Sequence, residues 1–205
     1  MQKKKVDRRV VRTKKVMKDS LISLLNEKDL SLITITDIVD RSDVNRSTFY
    51  AHFQDKEDFI DCLIDELIQG LIDTFQHTSV EDKNVDSFPY RFTIEAMFTY
   101  IYINSNYFKV LLLTTKVPRF TPELYARLYK YSLSHIKKLP ETETKLDVHV
   151  GLYANYLSST FISFVHYWLV DREQKYSPEY ISNEFIKVII SNPLATYIKE
   201  STSDL

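Results

Sequence analysis

Three side chains able to cap a helix, Thr34, Asn45 and Asp55, follow one another closely, and starts this near together leave room only for short helices joined by tight turns. Thr34-Ile35-Thr36-Asp37 fits a capping box, in which Thr34 takes a backbone N–H and the acidic side chain at the third helical position reaches back. A short helix over about residues 35–42 follows, Asp43 occupies the turn, and Asn45 restarts the chain as a helix to about residue 52. Asp55-Lys56-Glu57-Asp58 then reads as the cap and first turn of a longer helix. Within the stretch NRSTFYAHFQDKEDF, Phe49 and Phe53 lie four apart as inward anchors, while Arg46, Ser47, Thr48, Tyr50 and His52 supply donors and rings. A helix that short and polar suits a groove better than a core.

Helical spacing continues on both sides of this segment. Val10, Lys14, Met17, Leu21 and Leu24, widened by Val16, Ile22 and Leu25, predict a first helix over about 8–27, with Arg8, Arg12 and Lys15 on its outer face. Phe59, Ile60, Leu63, Ile64, Leu67, Ile68, Leu71, Ile72 and Phe75 give the longer helix a wide apolar face to about residue 77. A polar loop, TSVEDKNVDS, occupies 78–87, and further helices are expected near 88–103, 105–115, 122–138, 145–170 and 178–191. All six prolines fall at or near these boundaries. With only 2 Gly against 14 Tyr and 12 Phe, a turn-rich β protein and a glycine loop for phosphates are both disfavoured. The expectation is an all-α chain of two unequal parts, residues 1–55 and 56–205.

The net charge of −1 conceals an asymmetry. Residues 1–56 carry 13 Lys+Arg against 8 Asp+Glu, so the remainder carries 14 against 20. A basic segment on an acidic body is expected where one part meets a polyanion; a basic tail alone is the other reading. Cys62 is the single cysteine, which excludes an intrachain disulfide, and its apolar helical setting suits a packed thiol. No run of about 18 apolar residues exists to span a bilayer, and a cytosolic protein is expected. His52, His77, His135, His149 and His166 form no close ligand pair, so neither a metal site nor an enzyme is expected, and no cofactor.

Thr34, Ile38, Val44, Thr48, Phe49, Tyr50, Phe53, Lys56 and Glu57 stand at the spacing T-x-x-x-I, five residues, V, three residues, T-hydrophobic-Y-x-x-F-x-x-K-E. Over residues 34–64 the chain resembles the tetracycline-repressor (TetR) family of bacterial transcription regulators, which have an N-terminal three-helix DNA-binding domain with a helix-turn-helix, linked by a long helix to a larger ligand-binding and dimerisation domain. It departs from that family at Asp43, where Gly is usual, and at Ser42, where Ala is usual. The resemblance implies DNA contacts at Thr36, Arg46, Ser47, Thr48, Tyr50, His52 and Lys56, with Arg46 able to fork onto guanine and Thr48, His52 and Lys56 suited to phosphate oxygens.

The resemblance also implies a homodimer on a palindromic operator, formed through the helices near 145–170 and 178–191. The first carries Leu146, Val150, Tyr153, Leu157, Phe161, Phe164 and Trp168 with a small flank of Ala154, Ser158, Ser159 and Ser163; the other reading is that both helices fill the subunit's own core. A small-molecule effector would lie among Tyr100, Asn104, Tyr107, Tyr125, Tyr129, His149 and Tyr153, residues that ordinary packing explains equally well. Repression released by an effector is the expected function; a DNA-bound activator or adaptor that docks a partner protein is the alternative.

Overall fold

In the computed structural model the described residues are 8–77, 91–137, 148–170 and 175–191, and every regular element among them is helical. Helix α1 (Arg8–Glu27) leads through a 3₁₀ turn (Leu30–Leu32) to α2 (Ile35–Ser42), α3 (Arg46–Tyr50) and the long α4 (Lys56–His77). Then come α5 (Arg91–Ile103), α6 (Ser105–Leu113), α7 (Phe120–Ile136), α8 (Val150–Val170) and α9 (Pro178–Ser191). The result is an N-terminal helix-turn-helix on a larger helical domain. The expected loop at 78–87 lies outside the described residues, as does Leu146. Helix α7 begins at Phe120, ahead of Pro122, because Phe120 is fully buried while proline is tolerated in a first turn whose N–H groups need no partner.

Local chemistry sets the three closely spaced helix starts. Thr34 Oγ1 accepts from the Asp37 N–H at 3.1 Å, and the Thr34 N–H donates to Asp37 Oδ2 at 2.7 Å, which completes the capping box. Asn45 Oδ1 accepts from the Ser47 N–H at 2.9 Å. Asp55 Oδ1 accepts from the Asp58 N–H, while Asp58 Oδ2 takes the Gln54 N–H, both at 2.8 Å. Helix α2 ends on Asp43 at φ 52° and ψ 40°. The Asp43 and Val44 N–H groups fold back onto Asp40 O and Val39 O at 3.3 and 3.0 Å. That bonding needs a left-handed residue, and a short acidic side chain bears the conformation where glycine would carry no penalty.

Packing then holds these short pieces. Met17, Leu21 and Leu25 of α1, Ile38 of α2, and Phe49, Phe53 and Phe59 are nearly or fully inaccessible. The three phenyl rings form a triangle with centroids 5.4 Å (Phe49–Phe53), 5.5 Å (Phe49–Phe59) and 4.7 Å (Phe53–Phe59) apart. Lys14 lays its ammonium over the Phe53 ring at 5.3 Å. Phe59 belongs to α4, so the first turn of the long helix is part of the core beneath α3.

Further along, α4 runs against α5 so closely at Gly70 that a Cβ there would collide with the Tyr100 hydroxyl. Helix α8 turns Ala154, Ser158, Phe161, Val165 and Trp168 inward. Phe98 of α5 and Phe185 of α9 close on Phe161 at 5.2 and 5.7 Å. The small flank expected on α8 therefore divides: Ala154 and Ser158 are buried in the subunit, while Ser159 and Ser163 are exposed.

Two substitutions test this account in opposite directions. Phe49→Ala should cost about 3–5 kcal/mol, because a five-residue helix cannot close over the void. Asp43→Gly should gain up to about 1 kcal/mol by relieving the left-handed backbone. Denaturant titration followed by circular dichroism reads both, and a loss of stability in Asp43→Gly would overturn the explanation of the turn.

Candidate nucleic-acid interface

Helix α3 has a buried side and an exposed one. Phe49 is fully buried, whereas Arg46, Ser47 and Tyr50 are exposed and Thr48 and His52 are half-buried at the edge. Thr36, in the first turn of α2, is exposed as well. Arg46 lies over the Tyr50 ring at 5.7 Å and its Nη2 reaches the phenol oxygen at 3.4 Å. The stack presents a guanidinium and a hydroxyl side by side, with the phenol proton able to donate outward. Ser47 Oγ donates to Asn45 Oδ1 at 3.0 Å, which ties its proton to the cap and leaves its lone pairs to accept.

Lys56, expected at a phosphate, has two of its three ammonium protons engaged within the protein. It donates to Leu30 O at 3.0 Å and Ile33 O at 2.9 Å and so fastens the 3₁₀ turn to the start of α4. Carbonyls of a broken helix segment need donors, and a half-buried lysine beside them supplies two bonds. Spacing in the sequence could not reveal that, because the acceptors are main-chain atoms of a distant turn. A second contact missed by sequence reasoning is the fork of Arg41 on Glu27, at 2.6 and 2.8 Å, with Ser23 also accepting at 2.9 Å. It joins α2 to α1 and holds the Glu27 carboxyl below its ordinary range.

The seven residues considered for an effector fall into two sets of contacts. At the α5–α6 corner, Asn104 Nδ2 donates to Tyr100 O at 2.9 Å, and the Tyr107 hydroxyl donates to Asp19 of α1. Burial pushes the Tyr100 phenol up to about 12, with the charges of Glu66 and Asp73 adding to it. Burial also raises Tyr107, helped by its hydrogen bond to Asp19. Along the α7–α8 seam, Tyr125 stacks on Tyr129 with centroids 6.2 Å apart and donates to Asn155 Oδ1 at 2.5 Å. There too His149 Nδ1 accepts from the Gly151 N–H at 3.2 Å, and Tyr153 stacks on Tyr156 at 6.3 Å. An open cleft of about 730 Å³ lies elsewhere, lined by Ile162, His166, Tyr167 and Tyr176 among others, and none of the seven borders it.

Residues 19–62 match the model of the bacterial regulatory proteins of the tetR family, and residues 90–191 match that of a transcriptional regulator C-terminal region. The chain is 29% identical over 189 residues to the uncharacterised HTH-type transcriptional regulator YxbF of Bacillus subtilis (strain 168), a match covering 91% of this chain and 47% of that protein. It thus spans about half the length of the curated relative it matches. Among solved structures, the TetR transcriptional regulator of Streptococcus agalactiae 2603V superposes with a TM-score of 0.61 at 26% identity, covering 89% of this chain and 96% of that one. FadR of Bacillus subtilis, solved with stearoyl-CoA, shares the fold at a TM-score of 0.63 and 19% identity, covering 86% and 97%.

The short, exposed α3 on its aromatic base defines a helix-turn-helix protein of the kind that regulates transcription. The chain belongs to the TetR family of bacterial regulatory proteins.

Tyr100 supplies a pH test of the α5–α6 corner. The unfolded phenol ionises near pH 10 while the folded one stays protonated to about 12, so stability present below pH 10 should fall as pH rises from 10 to 12. Tyr100→Phe should flatten that slope in thermal melts; an unchanged slope would show the phenol to be solvated.

Proposed function

We propose that the chain is a homodimeric, sequence-specific DNA-binding regulator, a repressor released from a palindromic operator by a small-molecule effector. Residues 1–55 read the DNA and residues 56–205 dimerise and respond. The observation that carries this reading is the exposed Arg46–Ser47–Tyr50 side of α3, held from behind by buried Phe49. Arg46 contacts a base edge. Ser47, Thr48, Tyr50, His52 and Thr36 contact phosphates or neighbouring bases, and Lys56 acts by holding the unit together. The setting is the cytoplasm, and among the described residues no helix is long and apolar enough to cross a membrane.

Dimerisation is supported by the outward side of α8. Leu152 and Tyr167 are 66% and 67% exposed, and Val170 and Tyr156 lie along the same helix, with Ser159 and Ser163 between them. A helix with that many uncovered apolar groups is covered by its copy in a two-fold pair, which also sets two α3 helices about one DNA turn apart. FadR's bound stearoyl-CoA supports an effector in a protein of this fold. A second reading is favoured by the packed tyrosines of α5–α8: the body docks a partner protein and the chain acts as an activator or adaptor.

Fluorescence anisotropy against the DNA upstream of its own gene tests the reading. Salt-sensitive binding at least about tenfold tighter than to scrambled DNA is expected, and Arg46→Ala should erase the preference while leaving salt-dependent attraction. Equal affinity for both DNAs would sink it. Leu152→Glu with Tyr167→Glu should convert the dimer to a monomer by light scattering and weaken operator binding, with unchanged helix content.

A further inference from the structure

Helix α1 carries the core of the DNA-reading unit, and beyond the pair of its Lys18 with Glu66 of α4, the α6–α7 corner grips it at two places. The Tyr107 hydroxyl, on α6, donates to Asp19 Oδ1, whose other oxygen takes Lys15 Nζ at 2.7 Å. Lys116, in the turn between α6 and α7, donates to Leu25 O at 2.5 Å and reaches Lys28 O at 3.5 Å. These carbonyls sit at the C-terminal end of α1, where acceptors lack helical partners and the helix dipole is negative, and the last turn of α1 holds no basic side chain of its own. An ammonium from 88 to 91 residues away along the chain takes that place.

Both groups stand on stiff supports. Thr114 Oγ1 donates to Val110 O at 2.6 Å and accepts from the Lys116 N–H at 3.3 Å, while Val117 and Phe120 are buried on the far side of the turn. Phe120 meets Phe108 of α6 edge-on at 5.9 Å, so the turn and Tyr107's helix move as one piece. Lys116 borders an open cleft of about 490 Å³ together with Asp29, Leu30, Ser31, Lys56, Glu57 and Thr115. Arg119 of the same turn pairs with Asp61 at 2.9 Å and reaches Glu57 at 3.5 Å, which fastens the corner to α4 as well.

Asp19 and Leu25 are six residues apart, about 9 Å along the axis. One point of attachment leaves a helix free to swing about it, whereas two fix its direction. We propose that Tyr107 and Lys116 are positioning residues: together they set the direction of α1, and with it the orientation of α2 and α3, relative to the larger domain. Helix α4 anchors the same unit through Phe59 and through Glu66, which pairs with Lys18 of α1, and the α6–α7 corner adds two further points of attachment on α1. A shift of the α6–α7 corner is thereby passed to α1 directly as well as through α4. The consequence for DNA rests on the function proposed above; the geometry does not.

The test uses the full chain with a spin label at Asp40→Cys on α2 and another at Lys130→Cys on α7, both exposed positions, in a Cys62→Ser background. Labelled chains are diluted into unlabelled ones so that only the distance within one chain is read by pulsed electron resonance. Tyr107→Phe with Lys116→Met should broaden or shift that distance distribution about twofold beyond the parent's width, while Lys116→Arg should keep it narrow. Operator affinity should fall about tenfold in the double variant with scrambled-DNA affinity unchanged, the size expected for losing charge-assisted bonds. An unchanged distribution in the double variant overturns the proposal whatever the DNA titration gives. A parent chain that shows no operator preference sinks the DNA reading, while the distance measurement still decides the clamp. Should the double variant lose helix content, Tyr107→Phe alone, which keeps the ring, takes its place with the same two outcomes.

Discussion

The triangle of Phe49, Phe53 and Phe59 is the contact on which the rest depends. A helix of five residues has no independent stability in water, because nucleation costs more than so few hydrogen bonds return. Helix α3 exists because Phe49 and Phe53 insert beneath it and meet a ring from the first turn of α4. That arrangement gives the exposed side a fixed orientation and places the start of the long helix in the same core. Two elements are thus joined at one point: the ring that holds the short exposed helix also belongs to the long helix leading away from it.

Around that core, polar chemistry closes the ends of broken helices. Where the acceptor or donor is local, a short side chain does the work, as at Thr34, Asn45 and Asp55. Where carbonyls are left over, distant cations reach in, with Lys56 on the 3₁₀ turn and Lys116 on the end of α1. Both kinds of closure satisfy main-chain groups that burial would otherwise leave without water. The second kind also ties together parts far apart in the chain, and so carries information that the first does not.

In the larger domain the aromatic residues serve mainly as packing. Tyr100 fills the space left by Gly70, Tyr107 bonds across to α1, and Tyr125 and Tyr129 stack along the α7–α8 seam. Helix α8 separates two roles by face: Phe161 and Trp168 fill the subunit, while Leu152 and Tyr167 remain outside. The stripe read from the sequence for the dimer contains Phe161 and Trp168, which the subunit buries, and omits Leu152 and Tyr167, since a helix apolar on several sides gives periodicity no preferred direction.

The sequence alone determined the helix starts, the turn at Asp43, the inward direction of Phe49 and Phe53 and the family resemblance, because caps and helical spacing act over a few residues. It also marked Arg46, Ser47 and Tyr50 as polar groups on the opposite side of α3. Only the tertiary structure decided that Lys56 binds carbonyls, that Tyr107 and Lys116 grip α1, and which side of α8 stays uncovered. Each of those depends on where a distant main-chain atom or ring comes to rest, and no local pattern of residues encodes the position of an acceptor dozens of residues away.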